Sequence, residues 1–199
     1  MATTMREHES KGERTRRTIL EAAVARFGRD GFRATSVTDI ARDAGVSGSL
    51  AYAYFTDKSD LFLAALDDDI VGIIDEGVAS IIAAGDDSWR TELLSTLIAA
   101  VERHPLARRI LAGLEPDASE RMIELPALEE LRATVIERLR QDQAAGRVRT
   151  DIDEVAVGRG TVSIFIALLM AAVQFGDVAA ADNGRDVLAV IEAAIDVSP

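Results

Sequence analysis

Apolar residues recur along this chain at spacings of three and four, and no long stretch alternates apolar and polar with period two. The pattern therefore predicts helices throughout and gives strands little support. From Arg14 to Asp30, Ile19, Ala22, Ala23, Val24 and Phe27 share one helical face, and Gly28 and Gly31 are expected to end that helix. Thr35 or Ser36 then caps a short second helix whose inner side carries Val37, Ile40, Ala41 and Ala44. Ala44-Gly45-Val46 reads as a tight turn, with Gly45 free to take a positive φ. Ser47 caps a third helix running to about Tyr54. Two short helices joined around a glycine fit a helix-turn-helix.

A longer helix is predicted from Asp57 or Ser59 through Leu61, Ala65, Ile70 and Ile73, broken at Gly85-Asp86-Asp87-Ser88. Trp89 to Arg103 and Pro105 to Leu111 follow as helices, and Leu114 to Pro126 reads as irregular. Leu128 to Arg147 is amphipathic through Leu131, Val135 and Leu139. Asp151 to Phe175 is apolar nearly all round, which predicts burial. A last helix is expected from Gly184 or Arg185 to Val197. The predicted fold class is all-α with about nine helices. Residues 1–13 read as a basic flexible arm, 14–58 as a three-helix helix-turn-helix domain, and 59–199 as a second helical domain.

Composition first argues against nucleic acid. The 199 residues hold 22 Lys and Arg against 34 Asp and Glu, a net charge of −12, while DNA affinity rests on neutralising phosphates with basic side chains. The average hides a split at residue 58: the first segment has 10 basic and 8 acidic residues, the second 12 and 26. Arg6, Lys11, Arg14, Arg16 and Arg17 crowd the start. The acidity belongs to the second domain alone.

Other counts exclude chemistry. With no cysteine, thiol nucleophiles, disulfides and cysteine zinc sites are out. With only His8 and His104, a multi-histidine metal site cannot be built, and no metal or cofactor is expected. The start MATTMREHESKGERTRR has no apolar core segment, so no signal peptide is expected. The longest uncharged run, Gly160–Gly176, is 17 residues, short of a membrane span, and reads as a buried core or dimer helix. A soluble, cytoplasmic protein with no membrane partner is expected. On a helix the run Asp67-Asp68-Asp69 points three ways and reads as a solvated face.

The third helix holds both tyrosines, Tyr52 and Tyr54, beside Ser47 and Ser49. Short hydroxyl donors on a helix with a positively polarised N-terminus suit phosphates along the flank and base edges at the tip. Core tyrosines of a small bundle are the alternative.

Residues 15–66, TRRTILEAAVARFGRDGFRATSVTDIARDAGVSGSLAYAYFTDKSDLFLAAL, resemble the N-terminal domain of the TetR family of transcriptional regulators. The resemblance rests on the Ala-rich first helix ending in Phe27-Gly28, then Gly31-Phe32, Thr35-Ser36-Val37 and Asp39-Ile40-Ala41. It continues through Ala44-Gly45-Val46-Ser47, Tyr52, Tyr54-Phe55, Lys58 and Leu61. It implies a homodimer whose two recognition helices enter successive major grooves of a palindromic double-stranded operator, with a helical ligand-binding domain behind. The resemblance also implies roles. Tyr52, Tyr54 and Lys58 match phosphate-holding positions, with Arg14 in the basic first segment, and Thr35 and Ser36 match a cap that reaches phosphate. Ser47, Gly48, Ser49 and Leu50 match the tip of the recognition helix, and Thr38 a groove-facing position on the second helix. Ala51 and Phe55 match the inner face. Two departures stand out: Leu50-Ala51 replaces the frequent Thr-Leu, and the recognition helix lacks Arg, Asn or Gln for bidentate base contacts. Readout is expected to lean on thymine methyls, hydroxyls and DNA shape.

In the second domain, residues 151–175 and 185–197 are the best pair for a four-helix dimer interface. Gly158, Gly160, Ile164, Ala167, Ala171, Ala172, Val187, Val190 and Ile191 are its expected residues; the core of one subunit is the other reading. A pocket for an unidentified small-molecule effector should lie among the middle helices. Candidate lining residues are Phe62, Leu66, Trp89, Leu93, Leu97, Leu111, Met122, Leu125, Phe165, Leu169 and Met170, with residues 114–126 as a lid. Such a lining implies a lipophilic ligand. His104, Arg108, Arg109, Glu115 and Gln174 are possible polar anchors. The expectation is a ligand-responsive repressor, not an enzyme, released from its operator by that ligand. Two rivals remain: an acidic helical adaptor or small-molecule carrier with no DNA role, and an all-α hydrolase using His104.

Overall fold

A computed structural model of the chain describes residues 10–85, 88–118, 121 and 124–197, with main chain only at 177–182. Among the described residues there are nine α-helices and no strand. They are α1 Lys11–Ala34, α2 Val37–Asp43, α3 Gly48–Tyr54, α4 Lys58–Ala83, α5 Trp89–Arg103, α6 Pro105–Leu111, α7 Pro126–Ala144, α8 Glu154–Phe175 and α9 Asp177–Ile195. A 3-10 turn at Pro116–Ala118 lies between α6 and α7.

Local chemistry sets the boundaries. Ser10 and Glu13 form a reciprocal capping box that starts α1 at Lys11, so residues 11–13 of the expected arm are helical. Ser36, Ser47, Asp57 and Asp153 cap α2, α3, α4 and α8 through their side chains. Gly45 turns α2 into α3 at φ 68°. Helix α1 bends at Gly31 (φ 81°), not at Gly28. Gly28 is a glycine for a tertiary reason: a Cβ there would lie 2.7 Å from Pro105 Cβ, because α1 is seated directly on the start of α6. Helix α9 begins at Asp177, several residues before the expected start, immediately after Gly176 turns the chain at φ 92°.

Helices α1 to α3 form the first unit, closed over Ile19, Ala23, Phe27, Ile40, Ala41, Ala51 and Phe55. An Arg26–Asp43 pair at 2.6 and 3.0 Å ties α1 to α2. Helix α4 is the spine of the molecule, packing on α1 at one end and on α5, α6 and α7 further along. Phe62 meets Phe27 and Phe32 edge-to-face across the junction, with ring centroids 5.1 and 5.0 Å away, while Phe27 and Phe32 stack at 6.2 Å. Helices α8 and α9 pair with each other and cover α5, α6 and α7 from one side only.

The acidic run on α4 is not a uniformly solvated face. Asp69 is buried, and its carboxylate accepts the N–H groups of Leu106 (2.9 Å) and Ala107 (2.8 Å) at the start of α6. Its other oxygen meets His104 Nδ1 at 2.8 Å. Asp67 pairs with Arg121, and burial together with the charge of Asp69 raises the Asp68 pKa.

Candidate DNA-binding face and sensor cavity

The helix-turn-helix sorts its side chains by face. Ala51 and Phe55 are buried and hold α3, which packs on α2, in the core of the unit, while Ser47, Ser49, Leu50 and Tyr52 lie exposed, Tyr52 at 54%. Ser47 Oγ accepts from the Leu50 N–H at 3.2 Å and lies 3.0 Å from Ser49 Oγ, so the serines are held in one cluster at the helix tip. Gly48 is half-buried, and a Cβ there would meet nothing within 4 Å. Thr38 and Arg14 are exposed on α2 and α1. Tyr54 is half-buried and packs against the core of the domain.

Two neighbours are committed internally. Thr35 is buried; its hydroxyl donates to the Gly31 carbonyl at 2.8 Å and its N–H to Phe32. Both groups expected to reach phosphate are thus spent on closing the bend after α1. Ser36 is the exposed partner and the true cap of α2; its hydroxyl also donates to Asp39 at 2.7 Å. Hydrogen bonds from Ser36 and Arg42 hold the Asp39 carboxyl below its ordinary range. Lys58 lies with its ammonium 4.4 Å from the centre of the Phe32 ring, within 3.5 Å of the Arg33 carbonyl.

These features define the family. A family model described as "Bacterial regulatory proteins, tetR family" matches residues 19–65, the stretch from α1 into the first turns of α4. The HTH-type transcriptional repressor AcnR of Corynebacterium diphtheriae is 29% identical over 142 residues, covering 69% of this chain and 70% of its own length. Residues 19–65 carry the N-terminal domain of the TetR family. A second relative, the HTH-type transcriptional regulator AcrR of Shigella flexneri, is 40% identical over 57 residues, 29% of this chain and 26% of its own length. A TetR-family regulator structure from Cytophaga hutchinsonii superposes with a TM-score of 0.78 at 19% identity, covering 97% of this chain and all of that one. The sequence likeness is densest over the helix-turn-helix unit, and the likeness to the solved structure, at 19% identity, is one of fold.

Behind the DNA-binding unit, α4, α5, α6, α7 and α8 surround a narrow cavity of about 50 Å³. Leu93, Leu97, Leu111, Phe165 and Leu169 line it, as the sequence leads one to expect. Ile70, Ile73, Ile74, Ala107, Leu128, Leu131, Val162 and Ile166 complete the wall. The other expected lining residues sit elsewhere. Phe62 belongs to the aromatic junction, Leu66 and Leu125 are core residues outside the cavity, and Met170 points outward. Met122 lies outside the described residues. Trp89 is buried because its indole N–H donates to Asp142 at 2.9 Å, in a cluster with Arg147 and Arg90.

The expected anchors also have other duties. His104 bridges Asp69 and Glu76, Arg108 pairs with Glu102, and the Gln174 amide donates to the Leu111 carbonyl at 2.9 Å. Glu115 accepts from Arg109 at 2.8 Å and from the Phe32 N–H at 3.0 Å. That second bond crosses from the loop after α6 to the bend of α1, so α6 has one side on the cavity and its neighbouring groups on the DNA-binding unit. No sequence pattern marks a contact between residues 83 positions apart.

Helix α8 is less buried in a single subunit than its composition predicts. It is long and apolar enough to cross a membrane by length and hydropathy alone. Val155, Ile164, Met170 and Phe175 are exposed on it, Phe175 at 77%, and Val190 on α9 is 69% exposed. Ala167 is exposed, Ala171 and Val187 are half-buried, and a Cβ on Gly160 would meet open space. Ile191, Ala172 and Gly158 turn inward instead: the first two are buried, and Gly158 lies against Ile136.

Proposed function

We propose that the chain is a ligand-responsive transcriptional repressor that binds a palindromic operator in double-stranded DNA as a homodimer. The observation that carries this reading is α3 itself: a helix anchored by Ala51 and Phe55 that offers Ser47, Ser49, Leu50 and Tyr52 to solvent. Such a helix fits the major groove, with Tyr52 on backbone phosphate and Leu50 against thymine methyls. Exposed Ile164, Met170, Phe175 and Val190 on α8 and α9 support the dimer, because two copies of this pair would close a four-helix bundle over them. The dimer would hold its recognition helices about 34–36 Å apart, one turn of DNA.

The effector enters the apolar cavity of the second domain. It releases the operator only by the difference in its affinity for the two arrangements of the dimer. Helix α4 joins the units, and α6 supplies a second path. The acidic second domain repels DNA and keeps the N-terminal face toward it, an effect that salt screens. Selection of bound sequences from a random duplex pool with the purified full chain tests the reading. Recovery of an inverted repeat, with Tyr52→Ala weakening binding to all sequences alike, supports it. Absence of any enriched repeat overturns it.

A further inference from the structure

The cavity wall is more uniform than a general lipophilic pocket requires. All of its lining side chains are hydrocarbon. Polar groups on the helices that form the wall have partners of their own. Both Asp69 oxygens are taken by Leu106, Ala107 and His104, the Gln174 amide by the Leu111 carbonyl, and Arg109 by Glu115. An ionised head group brought here would find no partner, and an unpaired buried charge is disfavoured far more strongly than a hydrocarbon chain is favoured. Each methylene that leaves water tightens binding by about fourfold.

The free space of about 50 Å³ is well below the roughly 300–1,000 Å³ of a drug-sized site. A ligand must therefore part the wall. The shortest helix of that wall is α6, seven residues long, which contributes Ala107 and Leu111 and is held at its ends by Asp69 and Gln174.

We propose that the effector is an uncharged, hydrocarbon-rich molecule that enters with at most a neutral head group, and that carboxylate and ammonium amphiphiles of the same length are excluded. This rests on the effector reading above and names its chemical class. The discriminating contrast is between neutral and ionised heads, since a merely greasy surface would take all three.

The test uses the full chain without DNA, with 1-decanol, decanoate and decyltrimethylammonium as probes at equal submicellar concentrations. Melting temperature and calorimetric binding are read together. The expected result is a concentration-dependent rise in melting temperature with decanol alone, and about fourfold tighter binding per methylene from octanol to decanol. Ile74→Phe and Leu111→Phe, which fill the cavity from α4 and from α6, should each abolish decanol binding while keeping the helical circular dichroism; if one fails to fold, the other decides. Decanoate or the ammonium binding as tightly as decanol overturns the proposal, as does no binding by any probe, or decanol binding that survives a folded cavity-filling variant. Decanol that binds in the cavity but leaves DNA affinity unchanged counts against the effector reading and leaves the ligand class standing.

Discussion

Glu115 offers the sharpest test of how the two units are coupled. Its carboxylate holds the Phe32 N–H at 3.0 Å and Arg109 at 2.8 Å, in a pair whose side chains are only 22% and 16% exposed. Glu115→Ala strips both bonds, leaving a half-buried N–H at the bend of α1 and a largely buried guanidinium without its carboxylate. An unsatisfied buried donor costs about 1–3 kcal/mol, and hydrogen bonds to charged groups contribute about 1.5–3 kcal/mol. Partial overlap and residual hydration bring the expected total to about 2–4 kcal/mol. For a chain of this length that lowers the melting temperature by roughly 4–15 °C. Glu115→Gln keeps an acceptor for Phe32 and loses only the charge, so about 1 kcal/mol is expected. Calorimetry reads the stability, and residue-resolved amide exchange reads Phe32, whose protection should fall in Glu115→Ala and persist in Glu115→Gln. A Glu115→Ala protein that melts within about a degree of the parent with an unchanged Phe32 exchange rate would refute the reasoning.

Gly28→Ala should destabilise by about 1–3 kcal/mol through overpacking against Pro105, despite a helix-propensity gain of up to about 1 kcal/mol; urea unfolding checks the sign. Ile164→Glu, on the exposed side of α8, should leave subunit helicity intact and shift sedimentation from dimer to monomer, and an unchanged dimer would move the interface elsewhere. The Arg26 hydrogen bond holds the Asp43 pKa below its ordinary range, so the unfolded chain binds the proton more readily. The α1–α2 tie is then present above the usual carboxylate range, near pH 4, and is lost as pH falls through the lowered value. Asp43→Asn should flatten the acid limb of a plot of urea midpoint against pH, and an identical acid limb would argue against the pair.

Element boundaries were legible wherever a local signal set them. Trp89–Arg103 and Pro105–Leu111 match the structure because the Gly85–Ser88 break precedes the first and Pro105 starts the second, and α3 follows from Ser47. The start of α9 at Asp177 is not legible because residues 177–183, DVAAADN, carry little apolar periodicity. Residues whose role is tertiary carry no such local signal. Gly28 looked like a helix stop and is a packing contact, while Asp69 looked solvated and caps a helix 37 residues on. Trp89 looked like a ligand contact and satisfies Asp142 across 53 residues. The cavity was half legible because periodicity identifies an inner face and not which of its rows meets empty space. The exposure of α8 followed the same logic in reverse, since the pattern showed that the helix must be covered and the single subunit covers only one side of it.

The placement of the aromatic residues also gives the protein separable optical reporters. Its one tryptophan is locked in the second domain with its N–H on a carboxylate, one and two turns before Leu93 and Leu97 of the cavity wall, and both tyrosines sit on α3. Red-edge excitation therefore watches the second unit alone, with an emission blue-shifted by burial, whereas tyrosine absorption and quenching watch the helix-turn-helix unit. A single unlabelled sample can reveal which unit responds first to a ligand and which to DNA.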